Sequence, residues 1–166
     1  MRKFVLAVTL ALAGTVMLSA CHKQDDAQQA AQQVQKVAKP TDPNDTKAWN
    51  AYLGQIVTAN MQGMTADRPY AYLVPAGDDA DSQAKYGRQL EAVQDVVARG
   101  VLPGNMLVFA GPSSAKTADF IAAAFKDAKP GSFKDVIVLF IGDEADKQRV
   151  TDVLTPTSAN IRFVAM

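Results

Sequence analysis

Val136-Ile137-Val138-Leu139-Phe140-Ile141 is an unbroken apolar run held between Asp135 and Gly142. A strand with one face in water alternates apolar and polar residues. This one does not, so it reads as a strand buried on both faces. A strand of that kind needs a covering layer on each side of its sheet.

The flanking sequence has the matching rhythm. Met106-Leu107-Val108-Phe109-Ala110 and Pro69-Tyr70-Ala71-Tyr72-Leu73-Val74 read as strands before it, and residues 161–165 as a strand after it. Between them lie helical patterns. Residues 81–99 turn Tyr86, Leu90, Val93 and Val97 to one side and stop at Gly100. A second helix leaves the Gly111-Pro112-Ser113 turn, carries Phe120, Ile121, Ala124, Phe125 and Ala128 on one face, and ends at Pro130-Gly131. A third spans residues 143–154 and is broken by Pro156. Ahead of the first strand, Asp45 caps one more helix. Its apolar face is Trp49, Tyr52, Leu53, Ile56, Val57, Met61 and Met64, and it ends near Gly63.

Strand–helix alternation predicts an α/β fold: a small three-layer sandwich on a four-stranded parallel sheet with right-handed crossovers and an extra N-terminal helix. The third strand is the most apolar and the first has few polar residues, so both are expected centrally. The fourth carries Arg162 and suits an edge. The expected layout is flavodoxin- or Rossmann-like, order 2-1-3-4, with 3-2-1-4 as the alternative and the helices divided two and two between the faces.

Such sheets bind ligands beyond the carboxyl ends of their strands, where the strand order reverses. That rim comprises residues 75–79, 111–114 and 142–144, with the carboxylate of Met166. Ala110-Gly111-Pro112-Ser113-Ser114-Ala115-Lys116-Thr117 ends like a phosphate-binding loop. It has Ala110 and Ala115 where that loop needs glycines to wrap phosphates. Capping by Ser113 or Ser114 is the simpler role. Ser113, Ser114, Lys116 and Thr117 together remain a candidate anion site at a helix start. Asp78, Asp79 and Asp81 follow the first strand; Asp143, Glu144 and Asp146 follow the third. Were those strands neighbours, six carboxylates would converge. Asp78, Asp79, Asp143 and Glu144 are thus weak candidates for Mg²⁺ or Ca²⁺. First turns of helices favour acids without any metal, so capping is the preferred reading and no metal or cofactor is expected. The only histidine is His22 and the only cysteine Cys21, both ahead of the domain. Serine–histidine and cysteine–histidine catalysis and a nitrogen- or sulfur-ligated zinc site are therefore excluded within it. No Gly-x-Ser-x-Gly elbow is present. No catalytic residue is assigned.

The N-terminus carries a different kind of information. Arg2-Lys3 precede fifteen uncharged residues, Phe4 to Leu18, too few to span a bilayer. The run ends in Leu18-Ser19-Ala20-Cys21, which resembles the lipobox of bacterial lipoproteins. The resemblance covers residues 1–21. It implies a signal peptide over residues 1–20, cleavage before Cys21, and acylation of that cysteine. It also implies a membrane anchor with the domain facing the periplasm, and retention at the outer membrane, because His22 stands where an inner-membrane aspartate would. Cleavage would leave 15 basic against 17 acidic side chains. That balance offers no footprint for nucleic acid and no polybasic support for membrane contact. Residues 21–44, rich in Gln and Ala and punctuated by Pro40 and Pro43, read as a tether, reaching roughly 25–30 Å as a coil. The domain is residues 45–166. The functional expectation is an envelope lipoprotein whose domain binds a protein or cell-wall partner without catalysis. The alternative is a domain that binds a small molecule, anion or divalent metal, or an enzyme, using the strand-end rim.

Overall fold

The computed structural model describes residues 37–166. The expected signal peptide, Cys21 and most of the expected tether lie outside the described residues. Helix α1 (Thr46–Ala59) comes first, then β1 (Tyr70–Leu73), α2 (Ala80–Arg99), β2 (Met106–Ala110), α3 (Ser114–Ala124), β3 (Ile137–Gly142), α4 (Glu144–Leu154), a 3-10 turn (Thr155–Thr157) and β4 (Asn160–Ala165). Asp45 caps α1 by accepting from the Ala48 amide at 2.9 Å. Gly100, at φ 82°, ends α2 in the left-handed backbone that glycine adopts most readily. Two helices stop sooner than their apolar spacing predicts. Helix α1 ends at Ala59, with Asn60 as its cap, and α3 ends at Ala124, with Phe125.

All four strands are parallel, and their order is β1-β2-β3-β4. Neither expected order, 2-1-3-4 or 3-2-1-4, is found. β1, expected at the centre, is an edge strand, and β2 takes its central place. The reason is visible in β1. It has four residues, is bracketed by Pro69 and Pro75, and leaves Tyr70 half exposed. Prolines and shortness are how edge strands avoid open-ended pairing. Every residue of β2 is buried. β4 is the other edge, as Arg162 suggests.

The order dictates the layers. Each crossover moves one strand in the same direction. Right-handed connections then place α2, α3 and α4 on a single face. Hence the helices divide three and one, not two and two. On the three-helix face Leu107, Phe109, Val138 and Phe140 meet Val93, Val97, Phe120 and Phe125. Phe109 stacks on Tyr72 at 5.2 Å between centroids and lies edge-on to Phe125 at 6.0 Å. On the other face Met106, Val108, Ile137 and Leu139 meet Trp49, Leu53 and Val57 of α1. One helix is about 10 Å wide and strands lie about 4.8 Å apart, so α1 alone cannot roof four strands. Towards β4 the Arg162 guanidinium closes the gap, donating to the Asn60 and Gln62 carbonyls just past α1. Towards β1 a groove of about 330 Å³ stays open, lined by Leu53, Gly54, Val57, Met61, Ala71 and Leu73.

Residues 37–44, expected as the end of the tether, lie along α1. The Val37 amide donates to Gln55 Oε1 at 2.9 Å, and Trp49 Nε1 donates to the Asp42 carbonyl at 2.9 Å.

Candidate functional site

The carboxyl ends of β2 and β3 bring the starts of α3 and α4 side by side. At this rim Gly111 follows β2, and a Cβ there would lie 2.5 Å from the Val74 carbonyl. Only glycine lets the turn pass that close to β1. Ser113 caps α3, its Oγ accepting from the Lys116 amide at 3.3 Å. Thr117, fully buried, donates to the Ser113 carbonyl at 2.9 Å. Ser114 is buried, and its hydroxyl is engaged in both directions. It accepts from the Asp143 amide at 2.7 Å and donates to Asp146 Oδ2 at 2.5 Å. It ties the start of α3 to the start of α4. Lys116 reaches across to the loop after β1, where its ammonium donates to the Ala76 carbonyl at 2.6 Å and meets Asp78 at 2.5 Å. The Asp78 carboxylate is 90% exposed, so that ion pair contributes little, and the carbonyl bonds set the lysine's position.

Ser113, Ser114, Lys116 and Thr117 are therefore gathered at one helix start, each with its polar atoms already bonded within the chain. Ser114→Ala would strand the Asp143 amide and remove a donor from the Asp146 carboxylate. The expected loss is about 1–3 kcal/mol, the cost of orphaned polar groups. Urea denaturation should show a lower midpoint at unchanged slope.

The two acidic clusters do not converge. β2 lies between β1 and β3, and the sheet has no point at which strand order reverses. The crevice expected at such a point is absent for that reason. Asp79 caps α2, accepting from the Ser82 hydroxyl at 2.6 Å and the Ser82 amide at 2.9 Å. These bonds, the hydroxyl's first, hold its carboxyl below the ordinary 3.8. A folded-state value below the unfolded one adds stability above pH 3.8 that is lost as pH falls through the folded value. Asp79→Asn keeps a cap but no charge. Its melting temperature should trail wild type at neutral pH, and the gap should close in acid. A gap independent of pH would contradict this.

Asp143 occupies the N-cap position of α4 without a side-chain cap bond. Glu144 pairs with Lys147 at 2.8 Å. Among the described residues no three His, Cys, Asp or Glu side chains lie close enough together to hold a metal ion. The structure adds a residue that sequence reading passed over. Arg149 pairs with Asp119, with Asp146 at 3.0 Å, and with the Ala115 carbonyl at 3.1 Å, clamping α4 to α3. Its spacing of three from Asp146 was the available signal. Asp119, thirty residues away, gave none.

Open space lies around β1 instead. Besides the apolar groove, a polar crevice of about 540 Å³ sits at the carboxyl end of β1, among Asn50 of α1, Pro75 and Gly77, Lys85 and Gln89 of α2, and Pro112. No protein-family model, curated protein or solved structure matches the chain.

Proposed function

We propose that this chain is a lipid-anchored protein of the bacterial envelope whose α/β domain binds a partner and performs no catalysis. One observation carries the reading. The rim groups that could have done chemistry at the strand ends (Ser113, Ser114, Lys116, Thr117, Asp79 and Glu144) each have a structural partner in the chain. Ser113 and Thr117 spend their hydroxyls on the start of α3 and Lys116 its ammonium on the loop after β1, and no histidine or cysteine lies among the described residues to activate a nucleophile. The unfinished surface is apolar: the groove between α1 and β1, beside the open edge of the sheet. Edge strands with adjacent apolar pockets accept an extended segment of another protein, with main-chain bonds giving affinity and pockets giving specificity. Pro69 and Pro75 confine such pairing to a short stretch. No described helix is long and apolar enough to cross a membrane. Attachment in this reading rests on acylated Cys21, with His22 directing the protein to the outer membrane and the domain into the periplasm.

The test is affinity purification of the full chain from detergent-solubilised membranes. A partner at fixed stoichiometry is expected. Gly54→Arg should remove it without unfolding the protein, because a Cβ built at 54 meets nothing within 4 Å and Gly54 lines the groove. Wild type free of any partner, together with turnover of a substrate by the pure protein, would overturn the proposal.

A further inference from the structure

The two edges of the sheet are not alike. Along a strand, successive residues turn their N–H and C=O groups to opposite sides, so every second residue bonds to the same neighbour. On β1 the Val74 amide donates to the Ala110 carbonyl, which turns positions 69, 71, 73 and 75 outward. Positions 69 and 75 are prolines, and the Leu73 carbonyl is taken by Gln89 Nε2, so that edge is blunted. On β4 the Asn160 amide donates to the Val136 carbonyl and the Met166 amide to that of Gly142. Ile161, Phe163 and Ala165 therefore turn their backbone groups outward. No described residue bonds to those outward donors and acceptors. The strand runs Asn160–Ala165 without a proline, and an open edge of that length is a template for another strand.

We propose that two copies of the chain pair antiparallel through their β4 edges into one continuous sheet. The strand itself selects a second copy as the occupant. With a two-fold axis at Phe163, the two Phe163 residues face each other and Ile161 faces the partner's Ala165. These are the outward positions, so each facing pair exchanges both its bonds and every outward donor and acceptor of both edges is used. The side chains agree with that register. Ile161 and Phe163 are half-buried on the three-helix face. Pairing sets ring beside ring and the large Ile161 beside the small partner's Ala165. On the α1 face Arg162 stands opposite the partner's Val164. Moving the axis to residue 162 would set two arginines opposite each other, which is unfavourable. Lys147, over the Phe163 ring at 5.0 Å, is paired with Glu144 at 2.8 Å, so the charge nearest the axis arrives with its counter-ion. A foreign extended strand gains the main-chain bonds but not this self-match. The pair leaves only blunted β1 edges at its ends, so association closes at two copies. The axis is perpendicular to the sheet, which puts both copies of α1 on the same face. The described chain begins at Val37, bonded to Gln55 of that helix. On the lipid-anchor reading, on which this one point rests, both anchors then leave from one side and a single membrane holds both.

Sedimentation velocity of the detergent-solubilised full chain tests this. At about 100 μM the wild type should carry the mass of two copies. Ala165→Pro removes no bond within the chain, because that N–H faces away from β3. It should sediment as one copy with an unchanged far-UV circular dichroism spectrum. Register is read by Ile161→Cys combined with Ala165→Cys. Across the axis the two Cα atoms lie about 5.5 Å apart, within disulfide reach, whereas inside one chain they are about 13 Å apart. Mild oxidation should link the double variant into a covalent dimer and neither single variant. Wild type at the mass of one copy, pairing that survives Ala165→Pro, or a different protein held at the β4 edge would overturn the proposal. So would linking of the single variants equal to that of the double. Linking of the wild type, whose only thiol is Cys21, would instead overturn the lipid anchor, and the sedimentation comparison would still decide the pairing.

Discussion

Trp49→Ala is expected to remove about 3–5 kcal/mol of stability, the range for truncating a buried aromatic side chain. A domain of this size holds about 5–15 kcal/mol in all, so the loss is a large share of the total. The argument is geometric. The three-helix face has three elements to share its burial, whereas the opposite face has α1 alone. The buried residues of α1 are Trp49, Leu53 and Val57, and Trp49 is the largest. Its indole lies edge-on to Tyr52 at 5.9 Å and donates to the Asp42 carbonyl, so it also holds the chain that leads into the helix. Without it α1 keeps two aliphatic anchors, and Met106, Val108 and Leu139 lose much of their cover. Urea unfolding followed by far-UV circular dichroism should show a much lower midpoint. Fluorescence cannot follow the variant, because Trp49 is the only tryptophan. A loss under about 1 kcal/mol, typical of surface changes, would mean that α1 is not the roof of that face.

Cys21→Ser is expected to release the protein from the membrane completely and to abolish labelling by radioactive palmitate. The change is one atom, yet the proposed anchor has no second component. After cleavage 15 basic side chains would stand against 17 acidic ones, which gives no electrostatic hold on anionic lipid. No described helix can span a bilayer. One acyl chain binds marginally, and two or more together give stable anchoring. Losing the acylated thiol therefore moves the protein from one limit to the other. Fractionation of cells expressing each form reads this directly. A serine variant still in the membrane fraction and still labelled would remove the lipoprotein reading.

The two central strands were legible because burial on both faces forbids polar residues, and Met106–Ala110 shows this residue for residue. Caps were legible because their chemistry is local: Asp45, Asp79 and Ser113 each bond an amide three residues on. Strand order was not legible in the same way. It depends on which strand edges meet, and the apolar content of β1 pointed to the centre while Pro69 and Pro75 pointed to the edge. The error then spread, because the division of helices and the convergence of acids both follow from the order. At the rim, Ser113 could be read as a cap. The hold of the Ala76 carbonyl on Lys116 spans forty residues, and no local pattern signals it. The crevice is assembled from α1, the end of β1 and α2, and it becomes visible only once they are packed.

The most direct test of a binding domain is a photocrosslinking amino acid at position 54 in intact cells. Gly54 lies in the groove with nothing within 4 Å of a built Cβ, so the probe fits without disturbing the core. Arg88, exposed on α2, is the control position. A discrete adduct to one protein from position 54, absent from position 88, is the expected result. No adduct from 54, or the same adducts from both positions, would contradict the account.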